Sequence, residues 1–376
     1  MDLTLKVKLL PADEQGRALL HTMETFNSAC DHIGEVAFKN HTANKIRLQK
    51  LAYYDVRKRF GLPSQLTIRA ISKVCEAYKR DKDVQPRFKP HGAMVYDQRI
   101  MSWKKFDRVS LLTLNGRELV PIVMDAYHKP RMGMMRGQAD LIFIDGKFYL
   151  CVVVDVPEPP KLKSTESLGI DMGVVNIAVD SDGETFSGEA VDKVRSKMAK
   201  LKSALQSKGT KSAKRHLKRL SGHVGRFRKD VDHCISKKIV AKAKGTGRAI
   251  AVEDLNGIRK TGRTVRRAQR GRQSSWSFGQ LRSFIEYKAG LAGVEVVAVD
   301  PRHTSQTCPK CHSVDRKNRD GQNFKCVLCG FAGNADHIAA INIAARADVN
   351  RPIVACSDTV VSGEHSYKPL NLFMGG

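Results

Sequence analysis

Four cysteines in two pairs carry the most specific chemical signal of the sequence. Two residues separate Cys308 from Cys311, and the pair Cys326 and Cys329 repeats that spacing after fourteen further residues. Two such turns can direct four thiolates to the corners of a tetrahedron, which is the geometry of zinc in proteins. The pattern therefore predicts one structural zinc ion in a ribbon, held by all four cysteines.

Three acidic residues lie where apolar segments end or where a helix begins. Asp171 and Glu253 each end an apolar run, and Asp336 follows the second cysteine pair. Hydrolysis of a phosphodiester needs charge neutralised on both the attacking and the leaving oxygen, and two Mg²⁺ ions about 3.5–4 Å apart supply this. Mg²⁺ prefers carboxylate oxygens. The acids therefore predict a metal-dependent nuclease in which Asp171 bridges two Mg²⁺ ions and Glu253 and Asp336 complete their ligands.

Each acid also has a simpler explanation. Asp336 can cap its helix, and Asp171 can serve a turn. Asp254 competes with Glu253, but adjacent strand residues face opposite sides, so we expect only Glu253 to reach the site. Asp300, at another strand end, is the reserve candidate. The order of the three acids, on a first strand, a fourth strand and a final helix, favours a shared site.

The charge of the chain indicates a polyanionic partner. Its 376 residues carry 65 Lys and Arg against 38 Asp and Glu, a formal net charge of +27. The excess is concentrated between Asp192 and Arg272, which hold about 26 basic and 5 acidic residues. Nucleic acid is the commonest polyanion for such a protein. A ribosomal-type structural protein or a solubilising surface is the simpler alternative.

One long helix is predicted inside this basic segment. Basic residues recur there at roughly helical spacing, among them Arg215, Arg219 and Arg226. We expect these three to contact phosphates. Apolar residues at the complementary spacing are expected to pack inward, and they are Leu217, Leu220, Val224 and Phe227.

The hydrophobic periodicity predicts an α+β protein of several domains. Residues 2–10 alternate like a strand, residues 11–82 follow a helical period with a break at Gly61-Leu-Pro-Ser64, where Ser64 is the expected N-cap, and residues 83–160 return to short strands. An Asp145-Gly146 turn between alternating runs predicts a β-hairpin. We interpret residues 1–10 and 83–160 as a small β-barrel that residues 11–82 interrupt as a helical insertion.

The second half predicts an RNase H-like α/β domain. Three antiparallel strands after Pro160, a basic helical region and two further strands assign residues 161–302 and 333–349 to this domain. The zinc ribbon, residues 303–332, is inserted before a closing helix. Residues 350–376 show no sustained periodicity and are predicted to be a flexible tail.

Nothing in the sequence predicts a membrane or an oxidising compartment. The opening residues do not form a secretory signal, and charged residues interrupt the longest apolar region, residues 141–156. We therefore expect a cytoplasmic, nucleoid-associated protein without a membrane partner. The cysteines outside the ribbon are expected to be reduced and mostly buried, and they are Cys30, Cys75, Cys151, Cys234 and Cys356.

Six motifs of the second half occur together in one known family. They are Gly169-Ile-Asp-Met-Gly173, Val252-Glu-Asp-Leu-Asn256, Ser274-Ser-Trp-Ser277, Tyr287-Lys-Ala289, Thr304-Ser-Gln-Thr-Cys-Pro-Lys-Cys311 and Asp336-His-Ile-Ala-Ala-Ile-Asn-Ile343. With them the chain resembles TnpB, the RNA-guided nuclease of IS200/IS605-type insertion sequences and a relative of the type V CRISPR effectors. The resemblance implies a RuvC active site at Asp171, Glu253 and Asp336, and a ribbon at the four cysteines. Ile338 departs from an Asn usual in the family, which bears on the rate rather than on the chemistry.

The resemblance also implies partners and a reaction. A guide RNA and a double-stranded DNA target are expected, with the barrel as the wedge domain and the helical insertion as the recognition lobe. Gln65, Arg69 and Lys73 lie on one helical face and are the candidates for reading a short transposon-adjacent motif. The implied function is Mg²⁺-dependent DNA cleavage through one RuvC site. Open alternatives are a guide-independent recombinase, a compact type V CRISPR effector, and a guide-directed repressor that does not cleave.

Overall fold

The computed structural model describes residues 1–105, 107–255 and 278–349. These form two compact units, which divide between Glu158 and Pro159. The predicted tail and the Ser274–Ser277 motif lie outside the described residues. Within the described part, no helix combines the length and the apolar character that crossing a membrane requires.

The first unit is built on a seven-stranded antiparallel sheet. Its strands are β1 (Asp2–Leu9), β2 (Met94–Asp97), β3 (Met101–Lys104), β4 (Arg108–Thr113), β5 (Gly116–Val123), β6 (Met135–Ile144) and β7 (Lys147–Asp155). Their order is β2-β6-β7-β1-β5-β4-β3, so the opening strand is central. The two edge strands, β2 and β3, are separated by only three residues of chain. The sheet must therefore curl until its edges approach each other, and it is nearly closed.

Three helices are inserted between β1 and β2, as the helical period predicts. They are α1 (Asp13–Lys39), α2 (Lys45–Phe60) and α3 (Ser64–Arg80), and their apolar faces share one core with the sheet. α2 ends at Gly61, which has the left-handed φ of 64° that favours glycine. The expectation that Ser64 is an N-cap is wrong, because Pro63 takes the cap position and Ser64 is the first helical residue.

The hairpin prediction at Asp145-Gly146 is confirmed. β6 pairs with β7 in antiparallel register directly across this turn, with Ile144 opposite Lys147. Both turn residues have positive φ values, 49° and 75°. Two-residue turns of this kind match the twist of the flanking strands. A short 3₁₀ helix, Lys129–Met134, precedes β6.

The second unit contains a five-stranded sheet, and its strands follow one another along the chain as predicted. Its strands are β8 (Ser167–Asp171), β9 (Asn176–Asp180), β10 (Thr185–Ser187), β11 (Ala249–Glu253) and β12 (Val296–Val299). The order is β10-β9-β8-β11-β12. β8, β9 and β10 pair antiparallel, whereas β11 pairs parallel with both β8 and β12.

The described helices of this unit are α4 (Glu189–Lys208), α5 (Lys211–Leu220), α6 (His223–Gly245), α7 (Phe278–Ala292) and α8 (Ala335–Val349). Three of them, α6, α7 and α8, cover the two faces of the sheet. α6 and α7 share a core with Leu168, Ile170, Ile250 and Val252 on one face. α8 packs against Ala251 and Val299 on the other face. Buried contacts on both faces therefore hold the strands of the sheet in position.

The prediction of one long basic helix is wrong. The segment is divided into α5 and α6 at Ser221-Gly222, and Gly222 has a φ of 76°, which an α-helix does not contain. Arg215 and Arg219 belong to α5 and Arg226 belongs to α6. The periodicity of apolar residues runs across the break, and the glycine is the signal that interrupts it.

The ribbon is a small three-stranded sheet between β12 and α8. Its strands are β13 (Arg319–Asp320), β14 (Asn323–Lys325) and β15 (Ala332–Asn334), and a 3₁₀ turn at Arg316–Asn318 precedes them. Elsewhere, Cys30 and Cys75 are buried as expected and Cys151 is half-buried, but Cys234 on α6 is exposed. Cys356 lies outside the described residues.

Candidate active site and metal centre

The register of two parallel strands brings Asp171 and Glu253 side by side. Ile170 on β8 is paired with Val252 on β11, so the next residue of each strand is an acid at the same end of the sheet. Asp171 shares a strand face with Gly169, and Glu253 shares one with Ala251, because side chains alternate along a strand. Both acids therefore lie on the face that α8 covers.

Gly169 allows α8 to approach β8 closely enough to deliver Asp336. A Cβ atom at Gly169 would lie 2.0 Å from the carbonyl oxygen of Ala340 on α8, which no side chain could tolerate. The first turn of α8 then carries Asp336 to the same end of the sheet. Asn334 caps this helix, accepting hydrogen bonds from the backbone N–H groups of Asp336 at 3.0 Å and His337 at 3.1 Å. The carboxylate of Asp336 is therefore free of the capping role.

The three carboxylates lie close enough to influence one another electrostatically. Burial, together with the negative charges of Glu253 and Asp336, raises the pKa of Asp171 to about 7, while Arg319 acts in the opposite direction. Burial also raises the pKa of Glu253, against the hydrogen bond from Thr304. Such shifts are typical of acids grouped in one cleft. The arrangement disfavours three simultaneous negative charges unless positive charge is nearby.

Each of the two buried acids has polar partners from other segments. Thr304 donates a 2.6 Å hydrogen bond to Oε1 of Glu253. Asn176 on β9 donates to Oδ2 of Asp336 at 3.0 Å, and Arg319 on β13 contacts Oδ1 at 3.0 Å. Glu253 and Asp336 are each 8% exposed, so these bonds replace water.

Sequence reasoning missed these partners for different reasons. Thr304 opens the motif Thr304-Ser-Gln-Thr-Cys-Pro-Lys-Cys311, and this motif is the sequence signal that marks it. Arg319 follows the first cysteine pair by eight residues, and only the fold of the ribbon returns it to Asp336. Asn176 begins β9 and carries no signal that distinguishes it from a turn residue.

The competing acids occupy other positions. Asp254 is exposed and forms a 3.0 Å ion pair with Arg282 on α7, on the opposite face of the sheet. Asp300 is exposed and accepts a hydrogen bond from the backbone N–H of Arg302 at 2.9 Å. Asp254 therefore lies on the face opposite to Asp171 and Glu253, and Asp300 lies beyond the end of β12.

The four cysteines form a compact group of ligand atoms. Among the described residues, they alone make a set of three or more His, Cys, Asp or Glu side chains whose ligand atoms all lie within 4.8 Å of one another. Sulfur atoms of Cys308 and Cys329, and of Cys311 and Cys326, are 3.6 Å apart. A tetrahedral zinc ion with Zn–S bonds of about 2.3 Å places its sulfurs about 3.8 Å apart. The cluster fits a metal ion such as zinc.

The four thiols also affect one another's protonation. Hydrogen bonding from the backbone N–H of Cys329 lowers the pKa of Cys326 to about 6, whereas, against a backbone hydrogen bond from Ser313, burial and hydrogen bonds with the other three thiols raise the pKa of Cys311 to about 12. A bound cation would favour the thiolate form of all four. Phe324 and Ile338 pack against Cys308 and Cys326. Ile338, the departure from the family pattern, is therefore a buried apolar support of the ribbon rather than a polar neighbour of the acids.

The predicted contacts on α3 are engaged within the protein. Gln65 and Arg69 both hydrogen-bond the carboxylate of Asp97, which is 6% exposed. Lys73 donates to Asn27 Oδ1 at 2.7 Å and to the carbonyl oxygen of Ala93. Burial lowers the pKa of Lys73. These side chains remain half-buried rather than fully presented to solvent.

The basic residues of α5 and α6 are more accessible. Arg215 and Arg219 are exposed, on the same side of α5 at a separation of one helical turn. Arg226 is exposed and reaches the carbonyl oxygen of Ser221 at 3.4 Å. These three cations have the accessibility that phosphate contacts require.

Two family models match the chain from residue 149 to residue 343. Residues 149–273 match a family described as a probable transposase, and residues 278–343 match the Cas12f1-like TNB domain. The putative RNA-guided DNA endonuclease InsQ of Escherichia coli (strain K12) is 26% identical over 330 residues, 80% of this chain and 77% of that protein. The TnpB-like protein MJ0751 of Methanocaldococcus jannaschii is 30% identical over 46% of this chain and 66% of its own length.

The fold is also similar to that of a solved structure. The Cas12f1 of a complex with sgRNA and target DNA superposes with a TM-score of 0.58 at 13% identity, over 91% of this chain and 98% of that one. The aligned segments cover from half to about three quarters of the length of the first curated relatives. The resemblance that the motifs predict is thus confirmed, and the chain is a relative of the TnpB and Cas12f proteins.

Proposed function

We propose that this chain is an RNA-guided, Mg²⁺-dependent DNA endonuclease of a transposable element, with one RuvC-type active site. The observation that carries the proposal is the register of β8 and β11, which aligns Asp171 with Glu253 beneath the helix that bears Asp336. The names of the relatives support the reaction class. The net charge of +27 suits a protein that holds both RNA and DNA.

Each acid has a distinct role in the proposed site. Bound Mg²⁺ ions would neutralise the charge that develops on the attacking and leaving oxygens of the phosphodiester. Asp171 is the central acid, because its charge is coupled to both of the others. Glu253 presents the oxygen that Thr304 leaves free, and Asp336 is oriented by Asn176 and Arg319.

The proposal also assigns roles to the four cysteines and to the polar residues of α3, α5 and α6. Cys308, Cys311, Cys326 and Cys329 would hold one structural zinc ion, and the donor set of four thiolates suits that metal. The nearly closed sheet and the inserted helices correspond to the wedge and recognition lobe, which bind guide RNA and the motif beside the target. Arg215, Arg219 and Arg226 would contact phosphates, whereas Gln65, Arg69 and Lys73 would have to exchange internal partners to read bases.

Cleavage of target DNA by the purified RNA complex tests the proposal. The RNA that copurifies with the full chain is sequenced, and a plasmid that carries its complement beside a randomised flanking sequence serves as the target. With Mg²⁺, the wild type is expected to cut this plasmid, and Asp171→Ala is expected to bind it without cutting. Asp300→Asn is the matched control, because Asp300 is an exposed acid at a strand end of the same sheet.

Each possible result supports a different function for the protein. Cleavage by Asp171→Ala near the parental rate would contradict the carboxylate assignment. Binding without cleavage by the wild type would indicate a guide-directed repressor. A copurified RNA transcribed from a repeat array, rather than from the end of a mobile element, would indicate a compact CRISPR effector. The match to the Cas12f1-like domain is consistent with that alternative.

A further inference from the structure

Hydrogen bonds at the base of the ribbon reach the acid on β11. Thr304 donates from Oγ1 to Oε1 of Glu253 at 2.6 Å. Asn342 on α8 donates from Nδ2 to the backbone carbonyls of Thr304 and Thr307, both at 2.8 Å. Glu253, Thr304 and Asn342 are 8%, 3% and 6% exposed, so solvent does not compete for these bonds.

The turn that carries Thr304 is also held from the ribbon. Asn318, which is 1% exposed, donates to the carbonyl oxygen of Gln306 at 2.9 Å. The same side chain accepts a 2.9 Å hydrogen bond from the backbone N–H of Val327, inside the second cysteine pair. Two asparagines thus fix the turn from opposite sides, one from the thiol cluster and one from α8. A side chain on such a frame has little freedom to move.

The orientation of Glu253 depends on this frame. A glutamate has three side-chain torsions, and the last of them is broad, so a carboxylate is fixed only when its hydrogen-bond partner is itself held in place. Thr304 donates to Oε1 and leaves Oε2 available to another partner. We propose that Thr304 is a positioning residue that fixes the Glu253 carboxylate for divalent cation binding, and that Asn318 and Asn342 hold Thr304 in place. This inference rests on the cation site of the proposed function.

A simpler role for the Thr304 hydroxyl is to supply a hydrogen bond that the buried Glu253 carboxylate needs for stability. Thr304 Oγ1 also contacts the carbonyl oxygen of Pro301 at 3.2 Å, so the hydroxyl has a second acceptor. In that simpler case, loss of the hydroxyl would lower stability and leave cation affinity unchanged. Groups that orient metal ligands behave differently, since their loss weakens metal affinity by about 10–100-fold.

Direct measurement of Mn²⁺ binding separates the two roles. The zinc-loaded full chain, without RNA or DNA, is titrated with Mn²⁺ while electron paramagnetic resonance measures the free ion. Thr304→Val is expected to weaken binding about tenfold or more. Thr304→Ser is expected to restore it. Thr307→Val is the matched control, because that hydroxyl donates to the carbonyl oxygen of His303 at 2.7 Å and touches no acid.

Zinc content and the thermal unfolding midpoint are measured on each variant. If Thr304→Val loses zinc or unfolds, the comparison passes to Thr304→Ser and Thr304→Ala, which differ by one oxygen atom. Equal Mn²⁺ affinity in that pair, or wild-type affinity in a folded Thr304→Val, would overturn the positioning role alone. Wild-type binding no stronger than that of an Asp171→Asn, Asp336→Asn double variant would overturn the cation site as well.

Discussion

The two candidate metal centres differ in how their ligands are assembled. The thiols come from residues 308–329, and all four sulfurs lie within 4.8 Å of one another. The carboxylates come from β8, β11 and α8, which are separated by long stretches of chain, and they are not gathered into so tight a group. A compact thiolate site needs only two local turns. An open carboxylate site needs a sheet register and a helix that packs against a glycine.

The open centre depends on the compact one for part of its environment. Buried acids that repel one another need partners, and Arg319 supplies positive charge to Asp336 from within the ribbon. Thr304 reaches Glu253 from the turn that leads into the first cysteine pair. A metal ion bound at the thiols would therefore hold in place two residues that contact the acids. The comparison predicts that a substitution of an acid lowers cleavage and leaves zinc binding unchanged. A substitution of a zinc-site cysteine is predicted to lower both zinc binding and cleavage.

The largest expected effect comes from the acid on α8. Asp336→Asn keeps the shape of the side chain and removes its negative charge, so DNA cleavage should fall by about 10³-fold or more, equivalent to about 4 kcal/mol of transition-state stabilisation. Single-turnover cleavage at saturating RNA and DNA measures this. Zinc content should remain at the wild-type level, because Asp336 is not in the thiol cluster.

Asp320→Asn is the control for that substitution. Asp320 is an exposed acid of the ribbon, next to Arg319, and its replacement should leave cleavage within about twofold of the wild type. Loss of zinc in Asp336→Asn would contradict the prediction that a substitution of an acid leaves zinc binding unchanged.

Substitution of a cysteine in the thiol cluster should also lower cleavage at the carboxylate site. Cys326→Ser removes a thiolate, and the ribbon should unfold because the metal supplies its folding free energy. Arg319 and Thr304 then lose their positions, so cleavage should fall by about 10²-fold although every acid remains. Cleavage rate and zinc content are measured together. Cys234→Ser, an exposed thiol on α6, should change neither. Full cleavage by a zinc-free Cys326→Ser would show that the acids do not need the ribbon.

The same contrast explains what the sequence could predict. Cysteine spacing alone defines the thiol cluster, because both turns are local. The three acids could be proposed from their positions at strand ends, but the predicted order of strands was needed to bring them together. The face of Glu253 followed from strand alternation. Arg319 and Asn176 could not be found, because their contacts with Asp336 depend on tertiary folding.

The long basic helix shows where local patterns fail. Apolar spacing continued through Gly222, so periodicity alone favoured one helix, whereas the positive φ of that glycine divides it. The residues proposed on α3 show a second limit. Their helical spacing places them on one face of α3, but a buried Asp97 from β2 binds Gln65 and Arg69, and no local pattern predicts that partner. Surface function depends on contacts that only the fold creates.

Neutralising Asp171 should stabilise the metal-free protein at alkaline pH. Its pKa is about 7 when folded, well above the usual value near 3.9 when unfolded, so the folded chain binds the proton more tightly. Asp171 therefore makes the wild type lose stability as pH rises from about 4 to 7, and Asp171→Asn lacks this contribution. The gain of the variant in free energy of unfolding should grow by on the order of 2 kcal/mol between pH 5 and pH 8.

Urea unfolding in Mg²⁺-free buffer at the two pH values measures this gain. The zinc ion is left in place, so that the ribbon is intact in both proteins. Asp320→Asn, at an exposed position, should change the free energy of unfolding equally at both pH values. A gain for Asp171→Asn that does not depend on pH would show that neither burial nor the neighbouring acids raise the pKa of Asp171 in the folded chain.

The smallest expected effect concerns the positive charge of Arg319, which the ribbon places near the acids. Arg319 lowers the pKa of both Asp171 and Glu253, against the effect of burial. Arg319→Gln should therefore raise the pH at which Mn²⁺ binding reaches half of its plateau, by about half a unit, because Asp171 must lose its proton before it can bind a cation. Arg319→Lys should shift the midpoint less, since it keeps the charge, and Arg316→Gln, at an exposed ribbon position, should not shift it. An unchanged midpoint in Arg319→Gln would mean that the ribbon acts on the acids through Thr304 alone, and that the electrostatic link between the two centres is absent.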